Sequence, residues 1–154
     1  MADKGAVRNT RRSALEHAGL SIGGVHGGCG LAWRDVSKLA KDRRTLNLSS
    51  QLYRAVGSIG ANIAEGYSRQ SRKDQARFYE YALGSAREAR GWYFQGRQVL
   101  SPEVVAHRLH ILAEIARLLL SIIPSQRGYK SLKDDPSAYT ISLEGHLDDP
   151  PMPQ

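Results

Sequence analysis

Six cations, Arg69, Arg72, Lys73, Arg77, Arg87 and Arg90, fall within a stretch of 22 residues. Guanidinium and ammonium groups at that density can take phosphate oxygens through charge-assisted hydrogen bonds. Arg69, Arg72, Lys73 and Arg77 flank a serine-containing turn and the expected start of a helix. The free N–H groups and partial positive charge of a helix start also suit an anion. Arg87 and Arg90 extend the group along that helix. The competing reading of the same residues is a solvated helix face.

Other residue types that could do chemistry lack the partners that chemistry needs. Asn62 and Glu65 stand one turn apart and could line a common polar site. Acid–base catalysis there would require a histidine or a second carboxylate at suitable spacing, and the sequence offers neither. A buried or interfacial hydrogen-bonding pair, or a partner for arginine, is the reading favoured for them. His107 and His110 have an i, i+3 spacing that could share a metal, but a third ligand is missing. They read as a surface pair. Cys29 is the only cysteine and has no neighbouring cation to activate a thiolate. Tyr79, Tyr81, Trp92, Tyr93 and Phe94 lie among arginines and could stack bases, although helical spacing favours core and interface roles. The expectation is a protein without catalytic residues, cofactor or metal.

Charge points the same way. The chain carries 22 Lys and Arg against 15 Asp and Glu, a net +7. By count along the sequence, residues 1–30 hold four basic and two acidic groups, residues 31–130 seventeen and eight, and residues 131–154 one and five. The segments therefore carry +2, +9 and −4, a basic body with an acidic tail. Such a body attracts polyanions, chiefly nucleic acid. Apolar residues make up 41%, enough for a core. No apolar run is long enough for a membrane span and no continuous apolar leader follows Arg8, Arg11 and Arg12. With a lone thiol, the expected compartment is the cytoplasm.

The elements that must position these residues are helical. Residues 1–30 read as a flexible segment in which Ser13 and Glu16 could open a short helix, followed by a glycine-rich linker at 23–30. A short first helix is expected at 31–44, with Ala32, Val36, Leu39 and Ala40 on one face. A second spans 49–65, capped by Ser49 or Ser50. Its stripe is Leu52, Val56, Ile59 and Ile63, and it stops at a left-handed Gly66. Ser71 caps a third, roughly 40 Å long, ending near Val99. Its seam holds Phe78, Tyr81, Ala82, Ser85, Ala86, Ala89 and Trp92 or Tyr93. Ser101, Pro102 and Glu103 open a fourth that carries Val105, Leu109, Leu112, Ile115, Ala116, Leu119 and Ile122 and stops at Pro124. Residues 128–154 read as an acidic, proline-containing tail. The expected fold is all-α, an antiparallel up-down four-helix bundle over residues 31–127.

One stretch carries a resemblance. Asn62-Ile-Ala-Glu-Gly66, preceded by Gln51-Leu-Tyr-Arg-Ala-Val and Ser58-Ile59, is followed by Arg77-Phe78 and Ala82-Leu-Gly-Ser-Ala86. Together these resemble the bacterial four-helix-bundle family also called 23S rRNA intervening-sequence proteins, over about residues 33–127. The resemblance implies a bundle that assembles as a ring, a pentamer, with Asn62, Glu65, Gly66, Gly84 and Ser85 as structural or interface positions. It also implies a fold related to the accessory protein of diversity-generating retroelements, a basic barrel that binds nucleic acid and a reverse transcriptase. The family usually has a longer first helix. Here the first helix is either shortened or completed by residues 12–22.

The functional expectation is a non-enzymatic, basic homo-oligomer that binds structured nucleic acid, RNA in preference to DNA, through phosphate contacts. The alternative is a protein-interaction scaffold that docks an acidic partner, such as a polymerase or reverse transcriptase. The tail's −4 charge could also fold back on the basic body and compete with nucleic acid.

Overall fold

The computed structural model describes residues 22–128 and 151–153, with side chains from Gly30 onward. Among them are four α-helices and no strand: α1 (Ile22–Leu39), α2 (Leu46–Ser68), α3 (Arg72–Gln95) and α4 (Pro102–Gln126). A 3-10 turn, Gly96–Gln98, follows α3. The chain forms the antiparallel up-down four-helix bundle. Backbones pack closely between sequential helices, α1 on α2, α2 on α3 and α3 on α4, whereas α1 and α4 do not reach that closeness.

The core follows from apolar periodicity. Leu52, Val56, Ile59 and Ile63 of α2 are all buried, as are Ala32, Val36 and Leu39 of α1 and Val105, Leu112, Ala116 and Leu119 of α4. On α3 the buried line is Tyr79, Ala82, Leu83, Ala86, Ala89 and Tyr93. Burying each large aliphatic among these is worth ~1.5–3 kcal/mol. Phe78 and Tyr81, expected in the α3 seam, lie outside it: Phe78 is half-buried and Tyr81 is 54% exposed. The α3 seam is centred one position later than the aromatic spacing suggested, because Ala76, Tyr79 and Leu83 share the inward phase.

Four local expectations are corrected. The glycine-rich stretch is helical: α1 begins at Ile22 and contains 23–30. Glycine costs about 1 kcal/mol per residue relative to alanine, but a helix already nucleated by its buried Leu31–Leu39 stripe extends through it. At the other end α1 stops at Leu39, not Arg44. Thr45 Oγ1 donates to the Leu39 carbonyl at 2.5 Å, and the Arg44 amide donates to the Asp42 carboxylate at 2.9 Å. These local side-chain bonds divert the backbone into a turn. Neither Ser49 nor Ser50 caps α2, which starts three residues earlier, after Thr45; Ser49 Oγ donates to Leu46 O at 2.6 Å. Pro124 lies inside α4, which ends two residues later. Pro124 lacks the N–H that would bond the carbonyl four residues back and its ring crowds that carbonyl, but only two helical residues follow, so the helix is disturbed only at its end.

The serine caps behave as their spacing predicts. Ser71 accepts from the Asp74 amide and Ser101 from the Val104 amide, each at 3.4 Å. The α3 helix ends sooner than Val99, passing into the 3-10 turn at Gly96. A Cβ at Gly96 would stand 3.2 Å from Leu39 Cδ2, so glycine there lets the turn close over α1. The expected Ser13 helix start and most of the acidic tail lie outside the described residues.

Candidate nucleic-acid interface

The α2–α3 turn is held by one side-chain bond to its backbone and one bond within the backbone. The buried Gln75 donates through Nε2 to the Arg69 carbonyl at 2.7 Å, and the Arg69 amide donates to Gly66 O at 3.2 Å. Gly66 is not the left-handed stop expected of it. Among described residues only Gly128 has positive φ, and α2 continues to Ser68. The need for glycine is steric: a Cβ at Gly66 would lie 2.7 Å from Tyr79 Cε1 and 3.1 Å from Phe78 Cβ. Gly66 thus lets the end of α2 touch the first turns of α3, which sets where the cations of the turn and of α3 stand.

The six cations divide into two classes. The Arg69 guanidinium is paired with Glu65, and its Cζ lies 4.9 Å from the centre of the Phe78 ring. Arg77 is 3.6 Å from the Asp74 carboxylate and 5.4 Å from the same ring centre. Phe78 therefore holds two guanidinium groups by cation–π attraction, with Tyr81 edge-on to it at 5.9 Å. Arg72, Lys73, Arg87 and Arg90 are exposed and make no ion pair among the described residues. Arg72 and Arg90 are five helical turns apart and so share one azimuth of α3, separated by about 27 Å. Asp74 in the first turn partly offsets the positive end of α3.

The remaining motif positions are dispersed. Asn62 Nδ2 donates to Ser58 O at 2.8 Å within its own helix, and Glu65 binds Arg69, so these two residues do not pair with each other. Ser85 Oγ donates to Tyr81 O at 3.0 Å, while Gly84 is exposed and a Cβ there would meet nothing within 4 Å. Of the five aromatics, Tyr79 and Tyr93 are buried, Trp92 donates Nε1 to Glu88 at 3.1 Å, and Tyr81 and Phe94 are exposed. Arg97 covers Phe94 at 4.0 Å. His107 Nδ1 lies 2.7 Å from Arg108 Nη1 and accepts a hydrogen bond from it, which occupies the lone pair a metal would need. Among the described residues no group of three or more His, Cys, Asp or Glu could hold a metal ion, and no helix is long and apolar enough to cross a membrane.

The family model for the 23S rRNA-intervening sequence protein matches residues 31–121. The chain belongs to this family. The match spans α2, α3, nearly all of α4 and the part of α1 that carries the buried stripe, so the family's bundle includes both the Gly66 contact and the exposed cations. No curated protein and no solved structure matches the chain.

The sequence reading overlooked a polar cluster inside the family's bundle. Asp35 of α1 and Arg108 of α4 are buried, with Arg108 Nε donating to Asp35 Oδ2 at 2.8 Å and Nη2 to Oδ1 at 3.3 Å. Tyr93 of α3 donates its hydroxyl to Asp35 Oδ2 at 2.8 Å. Burial, then the Asp35 charge, push Tyr93 ionisation well above the usual tyrosine range, which keeps that hydroxyl a donor. Glu114 is also buried and pairs with the exposed Arg117 at 2.9 Å. The signal was phase: Asp35 falls between Ala32 and Leu39, and Arg108 between Val105 and Leu112, at inward positions of otherwise apolar stripes. The cluster ties three helices together across the wider α1–α4 gap.

Proposed function

We propose that this member of the 23S rRNA-intervening sequence protein family is a non-enzymatic, basic homo-oligomer that binds structured nucleic acid, RNA in preference to DNA, through phosphate contacts. The observation that carries the reading is the set of four exposed cations on α3, Arg72, Lys73, Arg87 and Arg90, without an acidic partner among the described residues. A cation that is not neutralised internally releases phosphate counterions when it binds. Arg69 and Arg77 border the set and contribute less, because Glu65 and Asp74 already compensate them. Self-association is supported by an exposed aromatic pair, Trp33 and Tyr53, 61% and 42% exposed with ring centres 5.8 Å apart. A ring of five follows from the family resemblance, and a cytoplasmic location suits an RNA ligand.

Fluorescence anisotropy with a labelled rRNA hairpin and a duplex DNA, across about 50–200 mM salt, tests the proposal. A linear fall of log affinity with log salt, steeper than a single contact gives, is expected. Absence of binding at the lowest salt overturns it. The same exposed cations could instead dock an acidic protein such as a polymerase or reverse transcriptase; a salt-sensitive complex that survives nuclease treatment of an extract favours that reading.

A further inference from the structure

Arg108 contacts one segment from outside the bundle. Its Nη2 donates to the carbonyl of Pro151 at 2.9 Å, a residue 43 positions away near the C-terminal end. The other bonds of this guanidinium go to Asp35 and to His107 Nδ1. A buried cation is stable only when its donors are met, so the Pro151 carbonyl completes the coordination of a group that water barely reaches. Pro151 and Pro153 are half-buried while Met152 between them is exposed, and the three residues belong to no helix or strand. Inward prolines alternating with an outward residue suit an irregular, extended strand lying in a groove. Proline favours that role, because its φ is already fixed and it brings no N–H that burial would leave unsatisfied.

We propose that the gap between α1 and α4 over Arg108 is a docking site for an extended Pro-x-Pro peptide presenting a main-chain carbonyl, and that the chain's own C-terminal end is its tethered, displaceable occupant. The site demands an acceptor, since what it offers is a guanidinium donor. Tethering raises the local concentration of the tail to roughly millimolar, so a single hydrogen bond and two half-buried prolines suffice to hold it. The contact rests on Arg108, which is none of the α3 cations, and the proposal does not depend on nucleic-acid binding.

The test uses a fluorescein-labelled peptide copying residues 147–154 and the full-length chain. A second full-length protein carries Pro151→Gly and Pro153→Gly, which loosen the tail without touching the bundle. The peptide is expected to bind this variant at least roughly tenfold more tightly than the parent chain, because the tethered competitor is weakened. A peptide with the same two glycines is expected to bind neither. Equal affinity for the two proteins, or no saturable binding to the variant up to about millimolar peptide, overturns the proposal. Arg108→Lys adds a second check where circular dichroism shows it still folded: it retains charge but loses the guanidinium fork, and unchanged peptide affinity also overturns the assignment.

Discussion

Arg108 of α4 and Asp35 of α1 meet at 2.8 Å with side-chain exposures of 3% and 0%. Two charges withdrawn from water must satisfy each other, and removing one strands the other. Arg108→Ala and Asp35→Ala are each expected to destabilise the fold by ~3–5 kcal/mol. Replacing both with apolar residues of similar volume should cost much less than the sum of the singles. Tyr93→Phe removes a bond to a charged acceptor and should cost ~1.5–3 kcal/mol. Urea denaturation of the four variants checks the ordering; additive singles would remove the pair from its assigned role.

Two glycines of the matched family region behave oppositely. At Gly66 an added Cβ meets Tyr79 Cε1 at 2.7 Å, whereas at Gly84 it meets open space. Gly66→Ala is expected to lose ~1–3 kcal/mol through overpacking. Gly84→Ala should keep or raise helix stability, by up to ~1 kcal/mol. Under the proposed assembly, Gly84→Ala should nonetheless shift the protein toward smaller species in sedimentation velocity. Unchanged sedimentation with unchanged helicity would take Gly84 out of the interface.

The division of cations into paired and unpaired gives a graded expectation for nucleic-acid binding. Arg72, Lys73, Arg87 and Arg90 replaced by Gln should each lower the magnitude of the salt slope by up to ~0.9 on duplex and ~0.7 on single strands. Arg69→Gln and Arg77→Gln should change it less, since Glu65 and Asp74 compensate those charges in the free protein. Equal effects at all six positions would show that the internal pairs do not govern availability.

Acid should loosen the join between α3 and the end of α4. Arg127 binds Glu80 through two bonds of 2.7 Å, and the guanidinium holds the Glu80 carboxyl below its usual 4.5. A depressed folded-state value means the stabilisation is fully present above about pH 4.5 and fades as pH falls through the folded value. Both side chains are more than a third exposed, so the contribution is expected at ~0.2–1 kcal/mol. Glu80→Gln should flatten the acid limb of a stability–pH profile by that amount while leaving its shape near pH 7 unchanged; an unaltered acid limb would refute the link.

Periodicity in the sequence determined the helices, because apolar residues recurring with the helical repeat can be buried only on one face. It placed Leu52, Val56, Ile59 and Ile63 in the core, and the Ser71 and Ser101 caps followed from local hydrogen bonding alone. The family, too, was legible in the stretch Asn62–Ala86. Tertiary structure alone decided what depends on residues distant in the chain. Gly66 reads as a helix stop until Tyr79 is brought against it. Asp35 and Arg108 stand at inward phases of their own stripes, but only packing shows that they meet, 73 positions apart in the chain. The pairs Arg69–Glu65 and Arg77–Asp74, by contrast, are local contacts at i,i+4 and i,i+3 spacing, legible in the sequence. Local pattern carries the sign of a surface and the phase of a helix; only the packed bundle determines which distant charges meet.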